Sequence, residues 1–349
     1  MVLPPKLCSS QGNIPLQSKT LSTTFTHFYE PNRRQTHNHH HPRHNYIAEM
    51  AARKFLITGA TGKQGGAVLD ALLSRFSPSS MPIEILALTR KPDSRKAKSL
   101  ASKPNVTIIQ GDTTDSSAIF AKTGPVDGVF LVSVAIPWRA NAEEEQALPP
   151  IDASIAHGVK HIVFTSIDRG GPASDQTPTR VGHFAAKYRI EQYLKEKAAK
   201  SGITWTILRP AAFMDNLSPD FNGKAFVSMW AGIGSKPLQL VSLKDIGHFG
   251  AAALLEPEKY KGQAIGLAGD ELTLEEACKV FRETMGYEMP QTFRFVGAAI
   301  KFMLKDVREM MGWLGTSGYG VDIPALRKNY PELQDFSTFL KDNSGFEKK

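Results

Sequence analysis

The stretch 55-FLITGATGKQGGAVLDALL-73 decides the fold of this 349-residue chain. An apolar, β-type run enters Gly59-Ala60-Thr61-Gly62-Lys63-Gln64-Gly65, and a segment with apolar residues at helical spacing leaves it. The spacing G-x-x-G-x-x-G between strand and helix gives each glycine a task. Gly59 permits the tight turn, Gly62 lets backbone N–H groups approach a pyrophosphate, and Gly65 lets the helix pack closely on the strand. The helix N-terminus, with its free amides, favours the anion. Glycines alone are a weak signal; in this context they point strongly to a dinucleotide.

Outward from that turn the pattern alternates. Apolar β-type runs occur at 54–58, 83–88, 106–110, 127–133, 160–166 and 203–209, with helical segments at 63–75, 93–101, 143–157 and 182–200. Strands apolar on both faces and joined by helix-length crossovers predict an α/β fold, a Rossmann-type doubly wound parallel sheet covered on both sides. After Pro210 the rhythm shifts to shorter elements, read as a smaller C-terminal α/β lobe over 210–345 that covers the cofactor cleft and returns segments to the sheet. Within it Thr273 and Glu276 have the spacing of a capping box, and 296–314 is apolar at helical spacing with a stripe of Met303, Met310 and Met311.

Residues 50–209 are the expected nucleotide-binding domain, and residues 1–49 differ from the rest. They are polar, rich in Ser, Thr, Asn and Pro, and carry six of the ten histidines without helix or strand period, so a disordered extension is expected. Scarce acids and Arg33, Arg34 and Arg43 give it a weak likeness to a transit peptide, and Met50 stands immediately before the first strand. Cytoplasm, nucleus or both are the expected location, with mitochondrial targeting a weaker reading.

Of the net charge of +8, the first 49 residues hold five Lys/Arg against two Glu, which leaves +5 elsewhere. No basic block interleaved with aromatics follows, so direct nucleic-acid binding is not expected. Two cysteines, Cys8 and Cys278, exclude a disulfide framework and a Cys-based zinc site, and no metal is expected. The longest apolar run, Gly128 to Trp138, is too short to span a membrane. Oligomeric state is not indicated.

Cofactor choice is read at the end of the second strand, where 87-ALTRKPDSRK-96 presents Arg90 and Lys91. A guanidinium grips a 2′-phosphate, so NADP(H) is expected over NAD(H). The rival carboxylate, Asp93, is better placed as cap of the following helix.

Seven segments in order, GATGKQGG (59–66), LTRKPDSRKAKSL (88–100), QGDTTD (110–115), HFAAKYRIEQYLK (183–195), TILRPAAFMDN (206–216), VSLKDIGHFGAAAL (241–254) and GVDIPALRKNYPELQDFSTFL (320–340), resemble the NmrA-like group of atypical short-chain dehydrogenases/reductases, across essentially all of 53–345. The resemblance implies NADP(H) binding and a set of roles. Gly59, Ala60, Thr61, Gly62, Lys63 and Gln64 hold the pyrophosphate, and Gly65 completes the cofactor turn. Arg90 and Lys91 take the 2′-phosphate, and Asp112 and Thr113 lie by the adenine. Ser133, Val134 and Ala135 run along the nicotinamide side, Lys187 reaches the ribose, and Phe213, Met214, Asp215 and Asn216 close over the nicotinamide. Val134 departs from the polar residue that regulatory members often carry here.

Catalytic short-chain reductases place a tyrosine four residues before the lysine, which lowers the phenol's pKa. Here His183 precedes Lys187 and the tyrosine is missing. Tyr193-x-x-x-Lys197 occurs on the same helix, but its six-residue offset turns it away from Lys187. His183 and Lys187 are therefore the candidate catalytic residues, and Ser166 a candidate for orienting substrate. The preferred reading is a redox sensor or regulator that binds a protein partner in a nucleotide-dependent way. The alternative is an NADPH-dependent oxidoreductase acting on a small carbonyl, quinone or enone. A pocket lined by Trp138, Phe213, Met214 and Trp230 would favour the second.

Overall fold

In the first strand, β1 (Arg53–Ile57), side chains alternate across the sheet, so Phe55 and Ile57 enter one buried apolar cluster and Leu56 another. The same division recurs in β4 (Gly128–Val132), with Phe130 on one side and Val129 and Leu131 on the other, and in β5 (His161–Thr165), with Val163 against Ile162 and Phe164. A sheet with two apolar faces needs helices on both. The computed structural model, which describes residues 52–75, 82–136, 138–291 and 305–348, supplies them. The extension 1–49, Pro137, Met303 and the part of 296–314 before Lys305 lie outside the described residues.

The remaining elements of the main sheet are β2 (Ile83–Thr89), β3 (Val106–Gln110), β6 (Thr204–Pro210) and, later in the chain, β9 (Gln263–Leu267). Seven strands run parallel in the order β3-β2-β1-β4-β5-β6-β9. The order reverses between β1 and β4, and in open α/β sheets ligands bind beyond the carboxyl ends of the strands at that reversal. Helix α1 (Lys63–Arg75) follows β1, α2 (Arg95–Ala101) follows β2, and α3 (Ser116–Thr123) follows β3. Helix α4 (Ala142–Ala156) connects β4 to β5 and α5 (Gly182–Ser201) connects β5 to β6. Thr273 and Glu276 form the expected capping box of helix Leu274–Met285.

Three features differ from the sequence reading. Helix α2 is capped by Ser94, whose Oγ accepts from the amide of Ala97, while Asp93 stays exposed. Helix α3 was not expected. The seventh strand was also missed: QAIGL is short, half-exposed and interrupted by Gly266, so it carries little strand pattern, and pairing with β6 makes it one. A second sheet of three strands joins β7 (Ala212–Phe213), β8 (Leu238–Val241) and β10 (Asp270–Leu272), beside a third apolar cluster around Met214, Trp230, Phe281 and Phe336. Among the described residues no helix is long and apolar enough to cross a membrane.

Two substitutions test how the elements are held. A Cβ at Gly65 would stand 2.4 Å from the Gly59 carbonyl oxygen and 2.6 Å from that of Thr58. Gly65→Ala is expected to cost about 1–3 kcal/mol in urea denaturation, because backbone cannot move aside as a side-chain tip can. The second concerns Asp245, fully buried in the first turn of helix Leu243–Leu255, which packs on α1. Its Oδ2 accepts from the Ser242 hydroxyl and the Gln334 amide, its Oδ1 has no partner, and burial pushes the carboxyl up to about 6. A raised carboxyl stabilises the fold fully below its ordinary value near 4, and that contribution is lost as pH rises through 6. Asp245→Asn should therefore gain on wild type between pH 4 and pH 8, by on the order of 1–3 kcal/mol; a difference independent of pH would overturn this account.

Candidate active site

The glycine turn is built as backbone against backbone. Gly59 has φ +59°, the amide of Gly62 donates to its carbonyl at 2.8 Å, and Gly65 lies directly beneath. A Cβ on Gly59 would stand 2.6 Å from Val132 Cγ1, so the turn rests on the end of β4. Only glycine fits these places, and the cradle has the form a pyrophosphate needs at a helix N-terminus. Two side chains tie it down. Lys63 Nζ donates to the Asp215 carbonyl at 3.0 Å and to Asn216 Oδ1 at 3.2 Å, while Gln64 Oε1 accepts from the Thr165 hydroxyl at 2.6 Å.

From the turn a groove of about 530 Å³ runs over the ends of β2 and β3, walled by Thr61, Arg90, Lys91, Lys96, Asp112 and Thr113. Arg90 is 79 % exposed and 3.8 Å from Asp112, so its guanidinium is largely uncommitted. The Asp112 carboxylate accepts from the amide and hydroxyl of Thr114, and the amide bond holds it below its ordinary range. Lys96, not expected from the sequence, adds a third cation whose Nζ is 3.5 Å from the Thr61 carbonyl. The set suits a phosphorylated nucleotide better than a bare ribose hydroxyl.

Lys187 projects from α5 to the ends of β4 and β5 and is 8 % exposed. Its ammonium donates to the Ser133 carbonyl at 2.8 Å, the Ser133 hydroxyl at 2.9 Å and the Thr165 carbonyl at 3.3 Å, and lies 3.1 Å from Glu143. Four partners share three N–H groups, so reaching a ribose requires giving one up. Val134 is 61 % exposed, and Gln146 of α4 pairs with both its amide (3.3 Å) and its carbonyl (2.9 Å). Ala135 lines a second cleft of about 530 Å³, which also holds His183, Arg139 and Arg189. There Asp306 accepts from His183: Oδ2 meets Nδ1 and Oδ1 takes the backbone amide. Burial works against ionised Asp306, but these bonds with His183 outweigh it and lower the carboxyl.

Other sequence candidates lie elsewhere. Tyr193 bonds Asp152 at 2.7 Å, as does Lys197, on the outer side of α5. Ser166 donates not to backbone but to buried Glu191, whose carboxylate also pairs with Arg169 at 3.0 Å and Arg209 at 2.6 Å. Ser166 is thus held by a structural ion cluster.

The expected pocket exists in part. An apolar cavity of about 220 Å³ opens beyond β6 and β7, with Phe213 and Trp230 in its wall and Asn216 at its rim. Met214 is fully buried in the third apolar cluster instead, because the single 3-10 turn Met214–Asn216 rotates it inward. Trp138 is 87 % exposed in the loop after β4 and takes no part. Asp215 is a strut, its Oδ2 accepting from the Leu243 amide at 2.8 Å, with burial raising the carboxyl. Glu143, Gln146 and Asp306 were not foreseen. The acidic run 143-EEEQ-146 opening α4 was a usable signal for the first two, whereas Asp306 is 123 residues from His183 and left none.

A model of the NmrA-like family matches residues 51–338. The NmrA-like family domain-containing oxidoreductase FrzB of Cladobotryum sp is 29 % identical over 293 residues, covering 75 % of this chain and 84 % of that protein. Among solved structures, the NADPH-dependent quinone oxidoreductase QOR2 of Escherichia coli complexed with NADPH has a TM-score of 0.61 at 23 % identity, covering 82 % of this chain and 98 % of its own. NmrA, a negative transcriptional regulator, has a TM-score of 0.61 at 16 % identity, covering 84 % and 95 %. The two structural likenesses speak for the fold.

The lysine cluster yields a double-variant test. Lys187→Met leaves the Glu143 carboxylate, 3 % exposed, without its cation, and should cost about 3–5 kcal/mol in urea denaturation. Adding Glu143→Gln should restore much of that; a double variant as unstable as the single would contradict the pairing.

Proposed function

The chain belongs to the NmrA-like family, and from that premise we propose that it is an NADPH-dependent oxidoreductase acting on a small apolar carbonyl, quinone or enone. The observation that carries the reading is a connection. The glycine turn is tied through Lys63 to the segment Phe213–Asn216, and that same segment walls the apolar cavity. The glycine turn and an apolar cavity therefore share one strip of chain, an arrangement that would serve turnover better than sensing alone.

Reduced nicotinamide, when bound, supplies a hydride. The chain's part is to bind and orient. Amides of the turn from Gly59 to Gln64 would take the pyrophosphate, Arg90 and Lys91, with Lys96, the 2′-phosphate, and Asp112 and Thr113 the adenine end. Ser133, Val134 and Ala135 would line the nicotinamide side, and Lys187 would keep their strand ends in place while offering one N–H to the ribose. Phe213 and its neighbours would exclude water from the substrate. His183 gives Nδ1 to Asp306, and its Nε2 has no hydrogen-bond partner among the described residues, but the residue lines the polar cleft rather than the apolar cavity. The similarity to FrzB, an oxidoreductase, and to QOR2, an NADPH-dependent quinone oxidoreductase, supports this class.

A second reading, nucleotide-dependent binding of a protein partner, draws on Val134 and Trp138, two exposed apolar residues in the loop after β4 beside the groove. One experiment separates the two. Full-length protein is screened for NADPH oxidation with quinones, enones and aromatic aldehydes; turnover is expected with at least one group. Intact NADPH binding with no consumption across the panel would leave the sensor reading ahead. For the nucleotide, Arg90→Ala should weaken NADPH binding about tenfold or more and leave NADH nearly unchanged, since only the former offers a 2′-phosphate. Equal affinity of wild type and variant for NADPH rejects the assignment.

A further inference from the structure

The wall of the apolar cavity includes two side chains whose hydrogen-bond donors have no acceptor among the described residues. Trp230 is 2 % exposed and its Nε1 has no hydrogen-bond partner among the described residues. Tyr319, also in the wall, has ring contact with Trp313 at 5.5 Å and no hydrogen bond from its phenol among the described residues. A buried N–H left unmet, as that of Trp230 is here, is costly, so such groups persist where something else meets them.

The segment carrying Tyr319 is held more firmly than a surface loop needs. Asp168 Oδ1 accepts from the amides of Gly170, Gly171 and Gly320 at 2.9, 3.0 and 2.8 Å. Gln239 reads both sides of the next residue, accepting from the Val321 amide at 2.9 Å and donating to its carbonyl at 3.0 Å. Gly171 and Gly320 touch so closely that a Cβ on the first would stand 2.1 Å from the Gly320 oxygen. On the other side Gly318, with φ +76°, makes the turn into Tyr319. The ring then leans edge-on against Trp313, which leans on Phe184 at 5.1 Å. A side chain pinned through its backbone and its ring loses little freedom on binding, which is how recognition groups are built.

We infer that Tyr319 is the hydrogen-bond donor by which this cavity selects its ligand, holding the carbonyl oxygen of a small planar aromatic or conjugated carbonyl compound. The inference rests on the reductase reading for the ligand's class. Burial, and then the negative charge of Asp168, push the phenol above its ordinary range, so it remains a donor throughout neutral pH. Trp230, whose Nε1 is likewise without a partner among the described residues, stands in the same wall. The space sets the size: a cavity of about 150 Å³ admits benzene, so 220 Å³ admits one ring with a small substituent. Apolar walls from Phe213, Met310 and Leu314 accept the ring, and a compound without an oxygen leaves the donors unmet.

The test compares acetophenone with ethylbenzene, which has nearly the same shape and no carbonyl, by ligand-observed NMR titration of the full chain. Wild type should bind acetophenone more tightly. Tyr319→Phe should lower that affinity about three- to tenfold and leave ethylbenzene and NADPH binding unchanged. An unchanged acetophenone-to-ethylbenzene ratio in the variant overturns the inference. If Tyr319→Phe fails to fold, wild type decides: equal affinity for the two compounds overturns it, and a carbonyl preference weakened in Trp230→Phe supports the donor pair. The screen for NADPH oxidation is read separately. Carbonyl discrimination without turnover keeps Tyr319 and rejects the reductase, whereas turnover with an unchanged ratio in Tyr319→Phe does the reverse.

Discussion

A buried ammonium organises the centre of this molecule. Lys187 is almost wholly removed from water, and such a charge is tolerated only where its donors are met and a counter-charge is near. Meeting them draws three elements together. The end of β4 gives the carbonyl and hydroxyl of Ser133, the end of β5 gives the carbonyl of Thr165, and α4 gives Glu143. The end of β4 borders the point where the strand order reverses, so the cation that closes the sheet's rim lies beside the place where ligands of such folds bind. Its position four residues after His183 puts the two on one helix face, and His183 lines the polar cleft.

Around that centre, chemistry and recognition are held by different means. The glycine turn is built from backbone at a helix start, and the groove beside it carries Arg90, Lys91 and Lys96. The cavity is walled largely by rings and apolar side chains, and Asp168 and Gln239 hold the backbone that follows Tyr319. Buried polar clusters serve both. Glu191 with Arg169 and Arg209 is depressed in pKa because the hydrogen bonds from Arg209 and Arg169 outweigh the effect of burial, and it braces Ser166 at the strand end next to Lys187's partner Thr165. Strand ends that carry functional groups are thereby stiffened from behind.

Much of the sheet was legible in the chain because its signals are local. Alternating faces in 54–58 and 127–133, glycines at fixed spacing and helix-length crossovers need no knowledge of distant residues. Strand β9 was not legible, since five half-exposed residues with a glycine acquire strand geometry only by pairing with β6. Asp93 lost the cap to Ser94 by one residue, a choice made by backbone direction rather than by residue type. The pocket was half legible. Phe213 and Trp230 follow from apolar character near the sheet's edge, but a single 3-10 turn sent Met214 into a core and a solvent-facing loop removed Trp138.

The sequence by itself determined the parallel sheet, the glycine turn and the cationic rim at Arg90 and Lys91, because each depends on neighbours within a few residues. Tertiary structure alone decided which groups stand free and which are spent. Asp306 reaches His183 across 123 residues and Glu143 reaches Lys187 across a crossover, while Tyr319 is set in a cavity wall by a carboxylate on the loop after β5. Whether a side chain can act depends on its partners, and partners distant in sequence are assembled only by packing.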